Sequence, residues 1–379
     1  MASRTLYRAV IGSVGSTRAD VVVTRTLGVW RDSWDALVEC APVPSPFLRS
    51  WWLEGVGGAN VRFVLVVDDG LLIGGLALER RRCMGLSQYR FASSGVLCPD
   101  HLDLLTARNR LPTVATAMRA WLNRPRSRLL DLRGLVEDSA LAAVLGTARV
   151  TPIDVAPWEP LPTEMSEYLA ARSRGFRGQA RATSRRLAEL GVECHRVTAS
   201  EFGLAMSDFH ALHTARGDRA DLLAQIPLLE TALAAGLVRG EIEVHVLRAH
   251  SDPVAVTLSF SVAGRLSLYQ SARSFEHKYR NATQVLELEV INQACTAGCH
   301  ELDLLRGGEP YKASYASRQR QIYRLRAAHG TLGYLFLGIS LGADCLRKLV
   351  RTPDAQSRRR QGRGTCPSTH AAVRASGPR

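Results

Sequence analysis

No apolar run in this chain is long enough to cross a bilayer: the longest, Leu332 to Ala343, falls well short of the roughly 20 residues that a spanning helix needs. The first residues carry Arg4, Arg8 and Arg18 among serines, with only a brief apolar patch. They lack a signal-peptide core and read as a disordered leader over 1–20. Cysteines number eight in 379 residues and show no framework spacing. A disulfide scaffold is therefore not expected, and a reducing, cytoplasmic setting is. Cys295, Cys299 and His300 have no second ligand pair at zinc spacing, so helix-packing cysteines and no metal are expected there. Also missing are a Walker-type glycine loop, a Gly-x-Ser-x-Gly elbow and a His-Glu-x-x-His helix. These absences exclude a P-loop triphosphatase, a serine hydrolase of that type and a common metalloprotease. Lysine is scarce, occurring only at Lys278, Lys312 and Lys348, so nearly all the positive charge is arginine.

That charge is unevenly placed. The formal net charge is +14, yet from Leu346 onward nine Arg or Lys face one acid, Asp354. The folded body is only mildly basic, and specific DNA binding is not implied. The stretch 352–379, rich in Arg, Gly, Pro and Ser, reads as a disordered basic tail without aromatics for base stacking. Before it, 331–351 is apolar then basic, which fits a C-terminal amphipathic helix, either docked on the body or in peripheral contact with the inner face of a membrane. The remaining length suits two domains.

Along the chain, Val21–Val23 opens as a strand and Trp30–Cys40 has helical periodicity. Phe47, Trp51 and Trp52 form an aromatic cluster at a helix start. Val61–Val67 and Leu71–Leu78 flank Asp68-Asp69-Gly70, a hairpin signal, and Tyr89–Leu97 offers another strand. Helix Leu111–Leu122, strand Leu129–Gly134, helix Ser139–Leu145 and a short strand near Ile153 follow. Pro152, Pro157, Pro160 and Pro162 mark a boundary, giving domains 21–156 and 157–330. The second half brings a long helix Glu164–Leu190, a strand Val192–Val197, helices Ser200–Arg216 and Pro227–Ala235, and three strands. The middle one, Val254 to Val262, has a clean period of two, and the third turns back after Ala263-Gly264. Helix Thr283–Ala297 leads into Leu302–Gly307, and Gln321–Ala327 adds a last strand.

Two features stand out. Leu130-Asp131-Leu132-Arg133-Gly134 is nearly repeated as Leu302-Asp303-Leu304-Leu305-Arg306-Gly307, after the same order of elements in each half. Only the second copy runs on into Glu309-Pro310-Tyr311-Lys312, so a site built on a strand end belongs to the second half, with Arg306 and Gln270 among its substrate contacts. In addition, Arg177, Arg181 and Arg185 share one helical face with Arg174, and no acid occurs from Arg172 to Arg186. Such a stripe is either a solvated face or a bidentate site for phosphate or carboxylate. His213 and Arg216 share another helical face, for packing or for substrate contact.

The arginine-rich helix, Leu212-His213-Thr214-Ala215-Arg216, Pro253-Val254-Ala255 and the stretch Leu302–Lys312 together resemble the CelD-type branch of the GNAT N-acetyltransferase superfamily, similar in fold to Fem-type aminoacyl transferases. The resemblance spans about 21–328. It implies an α/β (α+β) fold of two tandem GNAT-like domains, each with a mixed, largely antiparallel sheet flanked by helices. The implied activity is metal-independent acyl transfer from acyl-CoA to an amine of a small molecule or a cell-envelope precursor. In that chemistry Glu309 or Asp303 would be the base, Tyr311 would protonate the leaving group and Lys312 would stabilise negative charge. Lys278, Arg280 and Gln284 would meet the coenzyme phosphates, although Lys278–Gln284 lacks the superfamily's glycine turn. The alternatives are a Fem-like enzyme drawing on aminoacyl-tRNA and a non-catalytic scaffold.

Overall fold

In the computed structural model the described residues are 5–7, 19–95, 97–146 and 148–350. The basic tail and most of the expected leader lie outside them. Within the leader, however, Thr5–Tyr7 forms strand β1, paired antiparallel with β2 (Asp20–Thr24).

Every hairpin that the alternation predicts is present, and its turn explains its register. β3 (Val61–Asp68) and β4 (Leu71–Cys83) meet at Asp69 and Gly70, both with positive φ, the twist that suits a two-residue hairpin. β5 (Leu86–Phe91) returns from β4, ending before the expected Leu97, and the short β6 (Leu105–Thr106) pairs with β4. β7 (Arg128–Leu135) then lies parallel to β5. The second half repeats this pattern. β9 (Val192–Arg196), β10 (Ile242–Ala249), β11 (Asp252–Val262) and β12 (Arg265–Arg273) run antiparallel in turn, and β13 (Glu301–Asp303) lies parallel to β12.

The boundary expected at the prolines is not a linker. Residues Arg149–Pro160 form a single strand, β8, which contains Pro152 and Pro157. Pro157 is tolerated because its carbonyl faces the turn after β13, where it accepts from Leu304 N at 2.9 Å. Its missing N–H points the same way, so no bond to the neighbouring strand is lost. That neighbour is β14 (Arg318–His329), and the sheet order is β1-β2-β3-β4-β5-β7-β14-β8-β13-β12-β11-β10-β9. The strand that follows β7 therefore pairs with β13, and the strand that follows β13 pairs with β7. The two halves exchange strands reciprocally inside one continuous sheet.

Side-chain packing crosses the same line. Phe47, Trp51 and Trp52 pack edge-on or tilted against Phe260 of β11, with ring centroids 5.5, 6.0 and 5.8 Å away. Trp51 Nε1 donates to Glu241, which also pairs with Arg49. The expected helix Glu164–Leu190 is broken in two, Met165–Ala170 and Arg174–Glu189. The break falls where buried Arg172 turns inward to donate to Tyr315 O at 2.6 Å. Leu111–Leu122 is helical over the expected residues, and the C-terminal helix spans Thr331–Val350. No described helix is long and apolar enough to cross a membrane.

Candidate active site

The cleft arises where two parallel strands part. β12 and β13 pair only over Arg265–Ser267 and Glu301–Asp303. Leu305 then takes φ 56° and Gly307 φ 117°, which bends the chain away, while β12 continues to Arg273. Between them opens a cavity of about 910 Å³, walled by β12, the turn Leu304–Tyr315, helix Phe202–Arg216 and the start of helix Ala282–Thr296. In the first half the corresponding opening is filled. Leu97, Leu102, Leu104 and Leu105 are buried there, and Leu102 bridges to Leu135 as an added parallel partner of β7.

The turn after β13 is held from both sides. Asp303 is wholly buried, accepts from Arg265 Nη2 at 2.6 Å and Leu305 N at 2.7 Å, and has His101 Nε2 2.7 Å away. Burial alone would raise its pKa, but His101 and Arg265 outweigh it and hold the carboxyl well below the usual range. Arg306 is committed likewise: its Nε and backbone N bond the two oxygens of Asp100 at 2.9 and 2.5 Å, and its Nη2 reaches Pro99 O. Lys312 is buried and donates to Arg306 O at 2.7 Å, with Glu309 at 3.0 Å. Burial pushes the Glu309 pKa up, but Lys312 pulls it further down, so this half-exposed carboxylate stays ionised.

Of the residues expected at the site, the cavity brings together Glu309, Tyr311, Lys312, Arg306, Gln270, His213, Arg216, Arg280 and Gln284. Asp303 does not line it: it lies behind the turn and acts on the strand's ending rather than on a ligand. Lys278 also lies outside, paired with Glu276 at 2.9 Å. The arginine stripe divides off as well. Phe176 and Gln179 of its helix face the cavity, whereas Arg177 and Arg181 line a separate groove with Met165, Leu169 and Val285, and Arg185 is exposed and lines neither.

The sequence reading missed a buried carboxyl in the cavity wall. Glu287, on helix Ala282–Thr296, is 8% exposed and accepts from Ser271 Oγ at 3.1 Å and from the Tyr315 phenol. Burial raises its pKa, against the opposing pull of those donors and of Lys312. Burial also raises the Tyr311 and Tyr315 phenols. The signal was available: Glu287 is a carboxylate on a helix whose Leu286, Leu288, Val290, Ile291, Ala294 and Cys295 are all buried. His213, buried beside Phe209, is pushed down to about 4 by burial and then by Arg219 and Arg216, so it is neutral near pH 7. Arg219 and Arg273 also line the cavity. At the helix start Asn281 takes φ 64°, supplying the left-handed turn that a glycine otherwise would, and no side chain caps the first-turn N–H groups.

Two pseudo-repeated halves share a large mixed sheet flanked by helices, and a strand-splay cleft opens beside a helix start in the second. Residues 174–313 match the acetyltransferase (GNAT) domain family. Among solved structures, that of FemX aligns with TM-score 0.60 and 11% identity, over 78% of this chain and 95% of that one. The C-terminal domain of a putative lysylphosphatidylglycerol synthetase from Agrobacterium fabrum aligns at 0.52 and 11%, over 82% and 95%. L-PGS from Bacillus licheniformis aligns at 0.51 and 12%, over 78% and 90%. At these identities the likeness is one of fold. No curated protein matched the sequence.

Proposed function

We propose that the chain is an N-acyltransferase of the GNAT type, acting in the second-half cleft without a metal. The observation that carries this is Glu287, a carboxyl held in the cavity wall by Ser271 and Tyr315. An acceptor ammonium gives its proton to Glu287, and the free amine attacks the acyl carbonyl. The collapsing intermediate expels the donor's thiolate, which takes a proton from Tyr311, and the proton that the attacking nitrogen sheds as the amide forms restores the Tyr311 phenol. Lys312 fixes the turn and adds positive potential where the oxyanion forms. Glu309, paired with Lys312, is the weaker base of the two carboxylates.

The donor we favour is acyl-CoA. Its phosphates suit the uncapped helix start at Asn281 together with Arg280 and Gln284, because the left-handed Asn281 keeps the backbone turn that the missing glycine would give. The acceptor is an amine of a small molecule or a cell-envelope precursor, and placement in the CelD-type branch rests on the stretch Leu302–Lys312. A Fem-like donor, aminoacyl-tRNA, is the second reading. It is favoured by the likeness to FemX, which extends over both halves, and by exposed Arg181 and Arg185 beside the cleft helix. Calorimetry with acetyl-CoA, followed by transfer assays on a panel of amines, separates the two. Stoichiometric acetyl-CoA binding supports the first; binding only of aminoacyl-tRNA selects the second, and transfer from neither donor refutes both.

A further inference from the structure

Helix Thr331–Val350 lies on the sheet beside β14 and β7, and its two sides differ sharply. On the inner side Gly333 sits so close to the Arg128 carbonyl that a Cβ would come within 2.3 Å, and Asp344 accepts from Arg324 at 2.9 Å and Arg326 at 2.6 Å. On the outer side Tyr334, Leu335 and Ile339 are 64, 57 and 59% exposed. Met84, at the tip between β4 and β5, extends this patch: it is 83% exposed, and its neighbour Gly85 lies beside Leu332. Scattered apolar residues on a surface mean little, but three on one helix with a fourth alongside form a contiguous face.

The charge around that face has one sign. Arg133 is the cross-strand partner of Arg324, so it shares the helix-bearing side of the sheet, and the β5–β7 register puts Arg90 there too. Both are exposed, as is Arg126 in the loop beside Gly330. The nearby acids are already engaged: Asp131 and Asp344 hold Arg324, and Glu79 holds Arg81. The sequence past the helix then adds seven basic residues to one acid, Asp354.

From these observations we infer that this face is a docking surface for an anionic phospholipid bilayer. Tyr334, Leu335, Ile339 and Met84 enter the interface while the arginines meet headgroup phosphates. A second copy of the chain fits less well, because a two-fold contact would set Arg90, Arg133 and the basic segment against themselves.

The test is flotation of the full chain with phosphatidylcholine vesicles, with and without phosphatidylglycerol. The expected result is binding to the anionic vesicles alone, weakened by added salt. Leu335→Glu with Ile339→Glu should cut that binding by about tenfold or more without lowering the melting temperature, and Arg90→Gln with Arg133→Gln by several-fold. Absence of binding to anionic vesicles overturns the inference. So does binding that the double glutamate variant leaves unchanged, since the basic tail alone would then account for it. A dimer in light scattering that the same variant splits, with no vesicle binding, would assign the face to a second copy instead.

Discussion

At the scale of single residues, the cleft separates carboxylates by environment. Asp303 is held ionised by His101 and Arg265 and Glu309 by Lys312, whereas burial raises the pKa of Glu287 and of Asp100, and Asp100 is already taken up by Arg306. A base must release its proton near the working pH, which suits Glu287. Glu287→Gln should therefore lower the transfer rate by about 10²–10³ and abolish the acidic limb of the rate profile, which should lie above the ordinary glutamate range. Its effect on stability has the opposite sign. A carboxyl with a raised folded pKa stabilises most when protonated and loses that contribution as pH rises through the folded value, so the glutamine variant should melt no lower near pH 8. Unfolding would thus not explain its inactivity; unchanged transfer rates would remove Glu287 from the chemistry. His213 works in reverse. Its pKa is depressed to about 4, so the unfolded chain binds the extra proton first, and stability should fall as pH drops from about 6.5 towards 4. The loss is on the order of 2 kcal/mol once solvent in the open cavity is allowed for. A His213→Gln variant with the same pH–stability slope in denaturant melts would refute this.

At the scale of elements, alternation and turn residues made most strands legible, because hairpin chemistry is local. Asp69-Gly70 and Ala263-Gly264 set both long hairpins, and Leu111–Leu122 needed only its own periodicity. Proline misled. Reading Pro152 and Pro157 as a boundary assumes that each proline costs a ladder bond, whereas Pro157 directs its lost N–H towards the turn after β13. The arginine stripe misled similarly: spacing fixes which side chains share a face, not which cavity that face meets. Arg306 was seen as a ligand contact because the segment carrying Asp100 is 206 residues distant in sequence. That pairing makes the turn after β13 depend on the first half. Arg306→Ala removes the guanidinium from the fully buried Asp100 and leaves it only the backbone N–H of residue 306, which should cost about 3 kcal/mol in urea unfolding. A change below about 0.5 kcal/mol would show that the contact is no clamp.

For the whole molecule, the near-repeat of Leu130–Gly134 and Leu302–Gly307 gave two similar halves but could not reveal that they trade strands, since pairing partners so distant leave no periodic trace. The exchange makes separate domains implausible as folding units. A chain cut at residue 157 would keep β13 and β14 in one piece and leave most of β8 in the other, exposing both of their sheet edges. It would also strip Phe260 of Phe47, Trp51 and Trp52, and leave Arg265 and Asp303 without His101. The full chain should accordingly unfold in one cooperative calorimetric transition, and residues 157–330 expressed alone should be aggregated or lack fixed tertiary structure by near-ultraviolet dichroism. Co-expression of the two pieces should restore a soluble complex, because the exchanged strands can pair in trans. Two resolved transitions, or a soluble and well-dispersed 157–330 fragment, would show that the second half carries its cleft unaided.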